Sequence, residues 1–170
     1  MRRQTAILLA WLLLGGCVTM AKPDLTDFSS LRGYEAAGVN LRLPKYFKRF
    51  EENGAFLFRP EPPVRPSPGV LVKPEKTKDD MAALEAAYNK VTEKMGGMPV
   101  VIRRSIAGRE TPGLQDQLIT HFIWIYALKG ADGQVRILQI IAPVQWTDEQ
   151  VLAFHDLVVQ NLTLVDDAAR

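Results

Sequence analysis

"QLITHFIWIYALKGADGQVRILQIIAP", residues 117–143, is the stretch whose reading decides the fold. Two β-rich apolar runs flank "KGADGQ", and the Asp132-Gly133 pair inside it is a strong turn signal for an antiparallel hairpin. Along the first arm Phe122, Trp124 and Tyr126 alternate to one face, and Ile119, His121, Ile123 and Ile125 to the other. Both faces are apolar, so the arm reads as a central strand covered on both sides.

The cover comes from two amphipathic helices. Downstream, Thr147 with Gln150 makes a capping box and Trp146 stands where a staple residue would. Val151, Phe154, Val158 and Leu162 form a stripe, widened by Leu152, Leu157 and Val159. Upstream, Met81, Leu84, Tyr88, Val91 and Met95 recur at three- and four-residue steps, predicting a helix from about Asp79 to Met95. Thr77 with Asp80 reads as its cap and Gly96-Gly97 as its stop. This Met and Tyr stripe is read as core packing rather than as a ligand box.

Shorter strands precede and separate the helices. "GVNLRL" alternates Val39, Leu41 and Leu43 against polar neighbours and stops at Pro44. "GAFLFR" (54–59), "GVLVK" (69–73) and "MPVVIRRSIAG" (98–108) read as further strands. Between the first two of these, "PEPPVRPSPG" (60–69) holds five of the eleven prolines, which marks a surface loop or edge. The cluster Arg42, Lys45, Lys48, Arg49 runs directly into "RFEENG" and reads as a solvated face.

The expected class is therefore α+β: an antiparallel sheet of about five to six strands with helices on its faces. A short opening strand, a middle helix, a long apolar hairpin and a terminal helix closing in "QNLTLV" resemble the PsbP-like α/β/α sandwich over residues 34–165. DcrB-type envelope lipoproteins, which share that fold, are the nearest comparison. The resemblance implies a non-enzymatic binding or assembly role and carries no catalytic residues across.

The N-terminus gives an address. Arg2 and Arg3 precede "AILLAWLLL", nine apolar residues from Ala6 to Leu14. As a helix these rise roughly 14 Å, about half a bilayer core, so they read as the h-region of a secretory signal rather than a span. Leu14-Gly15-Gly16-Cys17 resembles the lipobox of bacterial lipoprotein precursors. That resemblance implies a diacylglycerol on the sulfur of Cys17, cleavage after Gly16 and acylation of the new amino group. Several acyl chains, each CH₂ worth about 0.8 kcal/mol on burial, would make a stable anchor. Val18, standing where Asp would signal retention, implies the periplasmic face of the outer membrane in a Gram-negative host.

The expected organisation is a signal peptide (1–16), a lipidated N-terminus and flexible tether (17–33), and one globular domain (34–170). Sixteen extended tether residues would reach at most roughly 55 Å. Residues 1–16 contain Arg2 and Arg3 and no acid, so the remaining chain carries 19 basic and 19 acidic side chains. That balance argues against a nucleic-acid partner. Cys17 is the only cysteine, so with lipid on it no disulfide remains and stability must come from an apolar core.

The inventory of reactive groups is thin. No Gly-rich phosphate loop, G-x-S-x-G, H-E-x-x-H or C-x-x-C occurs. His121 and His155 are the only imidazoles. His155 falls inside the apolar arc of the terminal helix and His121 on the isoleucine face of the central strand. Were that helix to cover that face, the two could approach and share a metal or a ligand. No catalytic, metal or cofactor-binding residue is assigned. The expected function is a lipid-anchored periplasmic binding or assembly-accessory module with an envelope protein partner, not an enzyme. Two alternatives stand beside it. One is a carrier or chaperone for an apolar ligand held under the terminal helix beside Phe122, Trp124 and Tyr126, and the other is a His-centred hydrolase or metalloprotein.

Overall fold

A computed structural model describes residues 24–61, 65–92 and 97–165. In chain order the elements are β1 (Leu31–Ala36), β2 (Val39–Pro44), β3 (Phe47–Glu52), β4 (Ala55–Pro60), β5 (Gly69–Pro74), α1 (Asp80–Thr92), β6 (Val100–Ile106), β7 (Arg109–Gln117), β8 (His121–Lys129), β9 (Val135–Pro143), α2 (Asp148–Gln160) and β10 (Leu162–Leu164). They make a seven-stranded sheet in the order β3-β4-β5-β9-β8-β7-β6 and a three-stranded sheet in the order β1-β2-β10. All the pairings are antiparallel. The class is α+β, with more strands than the five to six expected.

The hairpin of residues 117–143 is the centre of the large sheet. β8 and β9 pair from His121↔Pro143 to Lys129↔Val135. The two faces of β8 enter different cores. Trp124, Tyr126 and Leu128 join α2, the small sheet and β4–β5 residues such as Phe58 and Val70. Ile123, Ile125 and Ala127 join Ala83, Leu84 and Tyr88 of α1. One helix thus lies on each face of the large sheet, and the small sheet sits on the α2 side.

The additional strands escaped the sequence reading for identifiable reasons. β3, "FKRFEE", lies where the cluster of Lys48 and Arg49 running into "RFEENG" reads as a solvated face, and its four charges belong to an edge strand. β7 contains Pro112 and Gly113, which break strand patterning. Three hairpins close through two-residue turns with both φ values positive: Ala37-Gly38, Asn53-Gly54 and Ala107-Gly108. That is the condition a type I′ turn imposes, and glycine supplies its second position.

The start of the domain also differs from the expected boundary. β1 begins at Leu31. Phe28 packs against Trp146 and Phe154 at ring separations of 6.0 and 5.8 Å. The Tyr46 hydroxyl donates to the Leu25 carbonyl at 2.7 Å. Residues 28–33, read as tether, therefore belong to the folded body.

Both helix starts are capped, one as expected. Thr147 Oγ1 accepts from the Gln150 amide and Gln150 Oε1 accepts from the Thr147 amide. For α1 the cap is Asp79, not Thr77: Asp79 Oδ1 accepts from the Met81 and Ala82 amides, while Thr77 Oγ1 accepts from Asp79. Met81 and Leu152, placed in the apolar stripes, are 42% and 52% exposed.

Arg136 ties the two sheets together. Buried in the structure, its guanidinium pairs with Asp132 at 2.8 Å and donates from Nε to the Ala37 carbonyl at 2.5 Å. The β1–β2 turn is thereby fixed to the β8–β9 turn.

Candidate functional site: the half-covered sheet face

On the α2 side the centre of the sheet is covered. Val70, Val72, Phe47, Phe58, Trp124, Tyr126, Leu138 and Ile140 are all buried there. The α1 side differs, because among the described residues a single helix of 13 residues faces a sheet seven strands wide. At about 4.8 Å between strands the sheet is roughly 29 Å across, and one helix about 10 Å in diameter covers a minority of it. α1 sits over Ile123, Ile125, Ala127, Val135 and Ile137.

The strip left beside it is read off the register. Phe50 opposes Leu57, Leu57 opposes Leu71, Leu71 opposes Gln139 and Gln139 opposes Ile125, so these five share the α1 face in one cross-strand row. A neighbouring row contains Lys73, Ile137 and Ala127. Phe50, Leu57 and Leu71 are only half-buried. Between Leu57 and Leu71 and the flank of α1 runs an open groove of about 580 Å³, walled by Ala86, Ala87 and Val91 and floored by Ala55, Leu57, Leu71 and Ile137. That size lies within the range of small-molecule sites.

Its polar groups stand at the rim. Lys73 Nζ pairs with Glu75 Oε1 at 2.5 Å, and Glu52, Asn53, Lys90 and the nearly buried Gln139 complete the lining. An apolar floor with a few convergent polar groups suits a ligand that buries a chain and leaves a head in water.

The sequence reading placed the apolar pocket elsewhere, under the terminal helix beside Phe122, Trp124 and Tyr126. That location is filled. Trp124 and Tyr126 are buried, and His155 of α2 packs on both rings, at 4.8 and 5.9 Å between centroids. The groove residues were missed, although "GAFLFR" and "GVLVK" carry apolar side chains on both of their faces. Two helices cannot cover both faces of that many strands, and this was the available signal.

The histidines do not meet. His155 lies on the Trp124–Tyr126 face of β8, and His121 shares the opposite face with Ile123 and Ile125. The terminal helix covers the other side of the sheet from the one a shared metal site requires. His121 Nδ1 bonds Thr120 Oγ1 at 2.8 Å, and burial lowers its pKa. Among the described residues no group of three or more His, Cys, Asp or Glu side chains is placed to hold a metal ion.

His155 is 1% exposed and fully bonded: Nε2 lies 2.7 Å from the Tyr126 hydroxyl and Nδ1 2.9 Å from Asp156 Oδ1. A neutral ring protonated on Nδ1 satisfies both, accepting from Tyr126 and donating to Asp156. Burial lowers the His155 pKa, against the Asp156 hydrogen bond, and burial pushes the Tyr126 phenol up to about 12. The sequence Asp156–His155–Tyr126 has the order of an activated nucleophile, but Tyr126 is completely enclosed and no substrate atom reaches it. Its role is to satisfy polar groups within a core.

Cys17 and the motif Leu14-Gly15-Gly16 lie outside the described residues. Among the described residues no helix is long and apolar enough to cross a membrane. No family model matches the chain, and no curated protein sequence matches it.

Proposed function

We propose that this protein is a lipid-anchored, non-enzymatic binding module of the cell envelope that takes an apolar ligand chain in the groove beside α1. The observation that carries the reading is the half-covered sheet face, which leaves Leu57 and Leu71 recessed but reachable. Ligand binding there buries apolar surface without opening either core. Acyl chains on Cys17 are the proposed anchor, with the periplasmic face of the outer membrane as its place in a Gram-negative host. The arrangement of one helix on each face of an antiparallel sheet is compatible with a PsbP-like α/β/α sandwich, and that finer assignment is part of the proposal.

Both core clusters lie between Phe28 and Leu164, so the chain from Asp24 onward can be studied without its anchor. The test is a titration with cis-parinaric acid, a fatty acid that fluoresces when its chain leaves water. Saturable one-to-one binding is expected, weakened at least tenfold by Leu71→Lys, which sets a cation in the groove floor. A non-saturating response, or equal binding by Leu71→Lys, would remove the groove from consideration. A second reading, an accessory that docks an envelope protein, is favoured by a separate surface at the far edge of the same sheet.

A further inference from the structure

The two edges of the large sheet are guarded differently. β3 presents Lys48, Arg49, Glu51 and Glu52, the charged edge by which sheets discourage an added strand. β6 reads "VVIRRSI", and its first half carries no such guard. Val100 and Val101 are 63% and 62% exposed, and Met98 just before them 88%. Register assigns Val100 to the Trp124 side of the sheet, through Gln115, and Val101 to the Ile125 side, through Leu114. Apolar surface therefore lines both faces of one rim. The pairing of β6 with β7 is regular over all seven residues, with no bulge to twist the edge away.

Two further features point to an occupant. A recess of about 280 Å³ opens beside the rim between Met98, Val100, Gln117 and Phe122, large enough for one incoming side chain. Next along the strand, Arg103 and Arg104 are exposed; Arg104 also lies close enough to the Tyr126 hydroxyl to interact with it, while Arg103 meets Glu110 only at 3.5 Å with both side chains over two-thirds in solvent. The edge thus reads apolar, then cationic.

We infer that the edge of β6, unpaired among the described residues, is a strand-addition site for an extended segment of a partner protein. That segment runs antiparallel to β6, with acidic residues beside Arg104 and Arg103 and β-branched residues beside Ile102, Val101 and Val100. Backbone hydrogen bonds supply affinity and the alternating side chains supply selectivity. A second copy of this chain is the poorer occupant. Full antiparallel overlap of two β6 strands sets Arg103 against its own counterpart, and like charges directly opposed destabilise a pair. Sliding the strands until the apolar halves overlap sets the arginines against Pro99 and Met98. The inference develops the docking reading and is independent of the groove.

The probe is a fluorescein-labelled, capped peptide of sequence TSEEVIV, titrated by anisotropy into the chain from Asp24 onward. Saturable binding is expected, weakened about fivefold to tenfold by Val101→Lys, an edge-guarding change at an exposed position. The charge-reversed peptide TSKKVIV is expected to bind about threefold to tenfold more weakly, as two exposed charge pairs allow. Cis-parinaric acid binding by Val101→Lys should be unchanged, which separates failure of the edge from failure of the groove. Absence of saturable peptide binding, or equal binding by Val101→Lys, would overturn the inference. So would light scattering that shows a dimer of the free protein dissolved by Val101→Lys, since the second copy would then be the occupant.

Discussion

His155 makes the stability of the domain depend on pH in a window where few other groups titrate. Its ring is enclosed by Trp124, Tyr126 and the body of α2. Burial, the largest influence, lowers its pKa below the ordinary value of 6.5. Asp156 favours the charged ring, but its side chain is 58% exposed and well screened, and Arg104 opposes it. In the unfolded chain the imidazole takes up a proton as pH falls through about 6.5, while in the folded protein it does so only at lower pH. The unfolded state then binds more protons, so folding stability drops as pH falls. The loss has an upper limit of roughly 1 kcal/mol per pH unit below 6.5, reached only while the folded ring is still neutral. Carboxylates with lowered pKa, such as Asp24, Asp27 and Asp132, act with the same sign but lower on the pH scale. The stability they give is present above pH 4 and lost below it, outside this window. Urea unfolding followed by the fluorescence of Trp124 and Trp146 between pH 5 and 8 measures the slope. His155→Gln keeps an acceptor for the Tyr126 hydroxyl and cannot titrate, so most of the slope should vanish, with His121 contributing the remainder. An unchanged slope in His155→Gln would refute a buried neutral histidine.

Two further outcomes are expected. Gly113→Ala should cost about 1–3 kcal/mol in the same unfolding assay. A Cβ there would stand 2.6 Å from the enclosed Tyr126 ring and 2.8 Å from the Ile125 carbonyl, and neither has room to move. Cys17→Ala should abolish incorporation of labelled palmitate and shift the protein out of the membrane fraction, and retained labelling would remove the lipid-anchor proposal.

What could be read from the chain follows from where each signal is stored. The β8–β9 hairpin, β2 and the Thr147–Gln150 box were legible because pattern, turn and cap are local and agree with one another. β3 was legible in principle. "ENGAF" contains Asn53-Gly54, a strong two-residue hairpin signal, while the four charges before it hide the strand that leads into the turn. β7 is obscured by Gly113, whose reason is tertiary: it lies opposite Tyr126 and gives that ring its space. The supposed histidine pair failed for a deeper reason. Since both faces of β8 are apolar, the sequence implies two covering layers but contains nothing local to assign a helix to a face. His121 and His155 could be placed on their elements, yet not on the same side of the sheet.

The same asymmetry bears on function. The α2 side combines a helix, a three-stranded sheet and the Arg136 tie, so that face is closed by many elements fixed to one another. Opening it for a ligand would mean breaking the buried Tyr126–His155 contact and separating the aromatic cluster of Phe28, Phe47, Trp146 and Phe154. The α1 side demands no such rearrangement, because its apolar strip is already open beside a helix lined with Ala86 and Ala87. A filled core and an accessible apolar surface, which read as competing expectations, therefore coexist on opposite faces of one sheet. The groove lies along β4 and β5, while the docking edge lies at β6 with β9, β8 and β7 between them. A ligand in the one and a strand on the other can be held together, since neither takes surface from its neighbour.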